Sequence, residues 1–198
     1  MQYYVPESDP RVSVPSPLVY DRCLNFDHST PEAVCPLCGR RIAGSKWLGP
    51  YEFYTASPRL PDMMLAGLYD CLVSQVFLDA FRARGLSGIG VVGQCRIFYR
   101  KQAIEKPYFM ASFSYSQKAV GYARERNALR AVDKSLPRCS LCMGGTREKD
   151  QLYFDGVPEY DVFKKYDNGG KDFCTEAFRA FCTDMKIPGL LFRPGPSF

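Results

Sequence analysis

Two pairs of cysteines place the strongest constraint on how this chain can fold. The first pair, Cys35 and Cys38, stands in the sequence CPLCG, and the second, Cys139 and Cys142, stands in CSLCMGG. A glycine close behind such a pair lets the backbone turn tightly, as it does in a zinc knuckle. Two knuckles supply the four thiolates of a closed tetrahedral zinc site. We therefore expect a structural zinc that joins two distant parts of one fold.

Three alternative roles for these four thiols stay open at this point: reduced thiols without a metal, a redox pair and a catalytic zinc. Redox pairs of the thioredoxin kind follow a strand, which neither motif is predicted to do. A catalytic zinc needs an open coordination position, whereas four thiolates fill the shell. The chain has a single histidine, His28, so a histidine-rich catalytic site is excluded.

Composition predicts one globular domain that spans residues 1–198. Hydrophobic residues make up 46% of the chain, which is enough for a sizeable core. No run approaches the roughly 20 apolar residues of a membrane span, and the N-terminal residues lack the basic start and apolar run of a secretory signal. We expect a cytoplasmic protein that does not contact a membrane, in which nine cysteines stay reduced or bind metal.

Hydrophobic spacing predicts two main helices and several short strands, which is an α+β fold with mixed or antiparallel sheets. Apolar residues from Met63 to Arg84 recur at helical spacing, with Asp62 placed to cap the helix, and residues 172–186 repeat the pattern. The expected strands lie at residues 51–54, 95–100, 107–115, 152–154 and 190–193.

The sequence contains no arrangement typical of an enzyme, and we expect the protein not to be one. Neither a nucleophile elbow nor a phosphate-binding loop occurs in the chain. Residues Gly88 to Gly93 spell G-x-G-x-x-G, but here a predicted helix precedes the motif and a predicted strand follows it. That order is the reverse of the dinucleotide-binding context, so the motif is interpreted as a turn that leads into a strand.

Positive charge is concentrated in the middle of the chain. Residues 93–138 carry ten basic and three acidic side chains, a net of +7, in a protein whose overall charge is +5. Within this segment Arg126, Arg130 and Lys134 fall at helical spacing, and Arg124 is close to them. A basic segment of this kind favours either an acidic protein partner or nucleic acid. We take Arg124, Arg126, Arg130 and Lys134 as the candidate partner-binding residues.

The order of motifs suggests an internal duplication. Each cysteine pair precedes a helix that contains a similar pentapeptide, DAFRA at 79–83 and EAFRA at 176–180, and each helix is followed by Gly-Leu and a strand. We hypothesise two related halves, about 20–90 and 130–198, joined by the basic segment 93–138 and meeting across the four cysteines.

Nearly the whole chain resembles the double-CXXCG motif family of myxobacteria. The resemblance rests on CPLCG, on CSLCMGG, on RGLSG at 84–88 and on KIPGLLF at 186–192; Met143 departs from the pattern by preceding Gly144. Members of that family look like immunity proteins of lipoprotein toxins that sibling cells exchange. The resemblance implies a cytoplasmic, non-enzymatic inhibitor of a cognate toxin domain. It carries over the four motif cysteines and no catalytic residue.

Two functions are therefore expected to compete. The first is an immunity protein with a structural zinc, a toxin as its partner and no small-molecule substrate. The second is a zinc-dependent nucleic-acid-binding protein, in which aromatic strands around Phe98 and Phe109 would offer stacking surfaces.

Overall fold

The structure is a computed structural model of the chain. It describes residues 2–9, 11, 16–17, 26–27, 46–47, 51–66, 69–116, 118–121, 152–154, 156–165 and 172–197. These residues form two helices and a large mixed sheet, which confirms the α+β fold class. The helices are α1 (Gln75–Ala83) and α2 (Glu176–Asp184). The strands are β1 (Gln2–Ser8), β2 (Ser16–Pro17), β3 (Phe26–Asp27), β4 (Lys46–Trp47), β5 (Glu52–Tyr54), β6 (Met63–Ala66), β7 (Tyr69–Ser74), β8 (Ile89–Tyr99), β9 (Gln102–Ala103), β10 (Tyr108–Ser116), β11 (Ala119–Gly121), β12 (Leu152–Phe154), β13 (Val162–Lys165), β14 (Asp172–Thr175) and β15 (Leu190–Ser197).

Eleven strands of the described residues belong to one sheet. Its main order is β15-β1-β14-β13-β10-β8-β5-β2, with β7 and β6 attached through β10, and β9 attached to β8. Strand β10 pairs antiparallel with β7 and β8 and parallel with β13. The strand β1, although it comes first in the chain, lies between β14 and β15 and is therefore an interior member of the sheet. Strands β3 and β4 form one separate two-stranded sheet, and β11 and β12 form another.

The helix predicted over residues 63–84 is wrong in its first half, where the chain forms the antiparallel strands β6 and β7. Strand β7 is buried on both faces. Its Cys71 and Val73 belong to the cluster that packs against the helices, while Leu72 belongs to a second cluster with Phe53 and Met110. A strand covered on both faces is apolar throughout, so its residues also satisfy helical spacing. The second helix is likewise shorter than predicted, because β14 occupies its first four positions.

The predicted strands are confirmed, with different bounds. Those at 51–54, 95–100, 107–115, 152–154 and 190–193 correspond to β5, β8, β10, β12 and β15. Strand β8 starts earlier than predicted, directly after Gly88, so five of the six residues of the G-x-G-x-x-G motif belong to the strand itself and the predicted turn is limited to the residues that end at Gly88. Gly88 has a φ of 105°, which only glycine adopts readily.

Each helix begins at a hydroxyl residue that ends a strand. Ser74 caps α1, where its Oγ accepts a hydrogen bond of 3.1 Å from the amide of Phe77. Thr175 caps α2, and its Oγ1 accepts one of 3.4 Å from the amide of Phe178. Such caps satisfy an amide that has no partner within the helix. The prediction that Asp62 caps the first helix is wrong, since α1 starts more than ten residues later in the chain.

An aspartate supports each cap. Asp62 accepts hydrogen bonds from the amide of Ser74 at its backbone oxygen and from the Ser74 hydroxyl at Oδ1. Asp161 accepts the same two bonds from Thr175, at 2.8 Å from the amide and 3.2 Å from the hydroxyl. Asp161 also accepts bonds from the amide and the hydroxyl of Ser87, and in this way it joins the end of the first helical unit to the start of the second.

Four phenylalanine rings hold the two helices together. Phe77 and Phe81 of α1 contact Phe178 and Phe181 of α2 with ring centroids 5.3 to 6.2 Å apart, mostly edge to face. Pairs in this geometry are each worth about 0.5–1.5 kcal/mol beyond the area they bury. All four side chains are at most 4% exposed, so this aromatic cluster forms the centre of the largest core.

Candidate partner-binding surface

The four motif cysteines lie outside the described residues, as do Arg124, Arg126, Arg130 and Lys134. The structure does show what flanks the two cysteine motifs. The first motif lies in sequence between β3 and β4, which pair antiparallel, and the second lies between β11 and β12, which also pair antiparallel. Each C-x-x-C motif is therefore carried on a connection whose two ends are held side by side.

Four of the remaining five cysteines are buried thiols that form no disulfide, and Cys23 lies outside the described residues. Cys71, Cys95, Cys174 and Cys182 are at most 7% exposed. Burial raises the pKa of Cys95 and that of Cys182 to about 12 each, and it also raises the pKa of Cys174. Thiols are nucleophiles and metal ligands as thiolates, so these side chains behave as small apolar groups. Within the part of the chain that the structure describes, no group of three potential metal ligands occurs.

Five basic residues of the 93–138 segment are described, and three of them lie at the end of β8 and in the turn that follows it. Arg96, Arg100 and Lys101 are exposed. The last part of β8 extends past the end of β10 and pairs with β5 on one side and β9 on the other. The sheet thus carries Arg100 and Lys101 at the turn of a hairpin, and Arg96 on the strand that leads to it.

The turn of this hairpin consists of only two residues. Tyr99 pairs with Gln102, which leaves Arg100 and Lys101 as the connection. Both have positive φ, 48° and 68°, as the two central residues of a type I′ turn do. We call residues 99–102 the β8–β9 tip. Asn-Gly or Asp-Gly is the usual sequence of such a turn, and two long basic side chains are uncommon there.

Aromatic rings restrain two of the arginines. The guanidinium of Arg100 lies 5.1 Å from the ring centroid of Tyr99, and that of Arg96 lies 5.2 Å from that of Phe98. Arg96 also donates a hydrogen bond of 2.9 Å to Glu52 on the neighbouring strand β5. Arginine over an aromatic face is a contact of about 0.5–1 kcal/mol at exposed sites. These contacts hold the charges of this end of the hairpin in place.

Sequence reasoning identified the basic segment as a candidate binding region but missed the β8–β9 tip within it. The available signal was the pattern of an alternating strand, two residues and a short return strand, which predicts a hairpin. The hairpin was not recognised because its turn, Arg100-Lys101, lacks the glycine or asparagine that marks such turns in a sequence.

A second surface feature is an open cleft of about 390 Å³ between the helix ends, lined by Ala80, Ala83, Arg84, Phe181, Asp184 and Met185. Arg84 and Asp184 form an ion pair of 2.8 Å across it, with both side chains more than half exposed. An exposed pair of this kind contributes little, about 0–1 kcal/mol. The cleft therefore shows how the helix ends meet, and its lining offers no cluster of polar groups for a ligand.

None of the helices that the structure describes has the length and apolar character needed to cross a membrane. Comparison of the chain with protein-family models gives no match, and comparison with curated proteins gives none either.

Proposed function

We propose that this chain is a cytoplasmic immunity protein that binds a cognate antibacterial toxin domain and neutralises it without catalysis. The observation that carries the proposal is the exposed group of cations at the end of the β8–β9 hairpin, on a segment with a net charge of +7. The sheet presents this charge at an exposed turn, and complementary charge speeds the capture of an oppositely charged protein. An inhibitor of a lethal protein needs such capture.

A structural zinc bound by Cys35, Cys38, Cys139 and Cys142 is part of the proposal. The paired strands on either side of each motif support it, because they hold the two ends of each motif-bearing connection side by side. Zinc held by four thiolates would fasten these two connections to one another, and its free energy of binding would add to the stability of the fold. The metal has no role in the binding step.

Binding of nucleic acid remains the alternative. It would use the same cations, and it differs in what else it needs. Unspecific single-strand binding depends on aromatic faces on which bases stack. The ring of Phe98 carries Arg96 and that of Tyr99 carries Arg100, so the aromatic side chains nearest to the exposed cations already have a partner on one face. The acidic protein partner is therefore favoured.

The experiment is a calorimetric titration of the purified chain with the protein domain that is encoded beside its own gene. The proposal predicts a one-to-one complex whose affinity falls as salt rises. A mixed-sequence RNA and a mixed-sequence DNA duplex serve as parallel ligands. If the chain forms no complex with the product of the neighbouring gene and binds either nucleic acid tightly, nucleic-acid binding would replace the proposed function.

A further inference from the structure

We infer that the β8–β9 tip inserts into an acidic cleft of a protein partner, with Arg100 and Lys101 as the central contacts. This inference rests on the proposed binding function and deepens it, since it names the part of the basic segment that makes the contact and the chemistry that receives it.

The backbone of the tip supplies the first argument. Arg100 and Lys101 both occupy the left-handed region, where a side chain crowds the following carbonyl at a cost of roughly 1–2 kcal/mol per residue. Asn-Gly would make the same turn and allow the same pairing of Tyr99 with Gln102 at lower cost. The turn geometry therefore does not account for the two basic side chains. Backbone strain at an exposed position is typical of a functional site.

The pairing of the nearby cations supplies the second argument. Arg96 is paired with Glu52 at 2.9 Å, and Lys106 is paired with Asp62 at 2.7 Å. Arg100 and Lys101 have no carboxylate partner among the described residues. The two exposed residues of the turn are thus ones whose charges are available to another molecule.

The shape of the tip indicates the kind of partner. Two strands of a ribbon lie about 5 Å apart, so a two-residue connection is a narrow projection that fits a concave site. Carboxylates in a cleft can accept paired hydrogen bonds from a guanidinium. The stacking of Arg100 on Tyr99 limits the freedom that its side chain would lose on binding. A nucleic acid would instead need a row of phosphate contacts along an extended basic surface.

The test compares two double variants that remove the same charge. R100N/K101G converts the tip to Asn-Gly, and R59Q/K118Q removes two exposed cations elsewhere on the described surface. The probe is poly-L-glutamate, titrated at low salt, with a mixed-sequence DNA duplex as the competing ligand. We expect R100N/K101G to raise the melting temperature and to weaken binding of poly-L-glutamate about tenfold. The R59Q/K118Q control should bind close to the wild-type level.

Three results overturn the inference: equal loss in both variants, no loss in R100N/K101G, or tighter binding of the duplex than of poly-L-glutamate through the same tip. A higher melting temperature of R100N/K101G would show that its weaker binding does not come from a loss of folding. Failure of the proposed function looks different, because then the wild-type chain itself forms no complex with the product of the neighbouring gene.

A separate set of observations points to an internal duplication in which the N-terminal strand completes the second copy. The first unit consists of β6, β7, α1, β8 and β10. The second consists of β13, β14, α2, β15 and β1. In each, a hairpin leads directly into the helix, and the last strand lies between the second hairpin strand and the strand after the helix. These units differ from the halves expected from sequence, which left out residues 2–8.

The pairing registers of the two units agree at the helix cap and at the far end of the last strand, although the bulge lies between Met110 and Ala111 in the first unit and between Gln2 and Tyr4 in the second. Tyr108 of β10 lies opposite the cap residue Ser74, and Tyr3 of β1 lies opposite the cap residue Thr175. Beyond them, Phe113 pairs with Ile89, and Ser8, at the same distance from Tyr3, pairs with Leu190. The clusters on the sheet face opposite the helices correspond as well, with Met64, Leu72 and Tyr108 in one and Phe163, Phe173 and Tyr3 in the other.

The pentapeptides that suggested the duplication do not correspond. DAFRA forms the last five residues of α1, whereas EAFRA forms the first five of α2. The caps and helix ends correspond instead. After each helix the backbone makes the same three hydrogen bonds and passes through a residue with positive φ, Gly85 in one unit and Lys186 in the other. A second such residue follows in each, Gly88 and Gly189.

The first and last strands that the structure describes, β1 and β15, lie side by side. In the second unit Ser197 of β15 pairs with Gln2 of β1. The duplication requires β1 to lie beside β15, and we test this placement with a circular permutant that joins Ser197 to Gln2 through Asn-Gly and opens between Arg100 and Lys101.

The permutant should show the far-UV circular dichroism of the wild-type chain and unfold cooperatively on heating. A permutant without cooperative unfolding overturns the duplication. A crystal structure of the wild-type chain provides the second measurement: superposing α1 on α2 should bring Tyr108 onto Tyr3, and an overlay that separates these two residues overturns it as well.

Discussion

Ser74 and Thr175 each end a strand and cap a helix. The hydroxyl of Ser74 donates a hydrogen bond to Asp62, and that of Thr175 donates one to Asp161. Each aspartate directly precedes the first strand of the hairpin that its partner residue ends. The two hydroxyls hold corresponding corners of the fold. At both corners the strand and the helix meet without an intervening loop.

Removal of either hydroxyl should weaken the fold by a similar amount. We expect Ser74→Ala and Thr175→Ala each to lower the free energy of unfolding by about 1–2 kcal/mol, since each loses a cap and a hydrogen bond to a carboxylate. Urea unfolding measures the change. Thr175→Ser keeps the hydroxyl and serves as the control; a loss in this variant equal to that in Thr175→Ala would show that the cap is not the cause.

Two glycines near the end of α1 should respond very differently to alanine. At Gly85 an added Cβ would meet no atom within 4 Å, so Gly85→Ala costs only the left-handed backbone, about 1–2 kcal/mol. At Gly88 the same Cβ would lie 1.9 Å from the carbonyl oxygen of Val162. We expect Gly88→Ala to cost on the order of 4 kcal/mol or more. Thermal unfolding of the two variants shows which loses more stability. Equal losses of stability would contradict the close approach of Gly88 to Val162.

Sequence patterns predicted the fold class, both helix ends near Gly85 and Pro188, and five of the strands, but not where each helix begins. The helix starts failed for a physical reason. A strand buried on two faces and a buried helix carry the same run of apolar residues, and only the partner strands distinguish them. The β8–β9 tip was missed because its turn violates the usual residue preference. The interior place of β1 depends on pairing between opposite ends of the chain, which local spacing does not encode.

The buried thiols predict how stability depends on pH. In the unfolded chain thiols lose their protons around pH 9, whereas in the folded chain burial keeps Cys95 and Cys182 protonated to about pH 12. Above pH 9 the unfolded chain therefore binds fewer protons, and the free energy of unfolding falls as pH rises. The slope is at most about 1.4 kcal/mol per pH unit for each thiol.

Urea unfolding between pH 8 and pH 10.5 under reducing conditions measures this slope. Cys95→Ala removes one of the titrating thiols, so its slope above pH 9 should be shallower than that of the wild type. A free energy of unfolding that stays level or rises over this range would contradict the burial of these side chains.

The zinc proposal makes a prediction that metal analysis can check. Protein purified without a chelator should contain about one zinc per chain, as a single site with four thiolate ligands requires. Cys35→Ser and Cys139→Ser should each lose the metal and lower the melting temperature, because structural zinc contributes directly to folding. Cys95→Ala, a buried thiol outside both motifs, should keep its zinc. Wild-type protein without zinc would end the proposal.

The most direct measurement of the central claim is the growth of cells that express the product of the neighbouring gene. The account predicts that this product stops growth, that co-expression of the wild-type chain restores it, and that the two proteins elute together. It also predicts weaker rescue by R100N/K101G. Growth arrest that the wild-type chain does not relieve, at equal expression and with no complex formed, would contradict it.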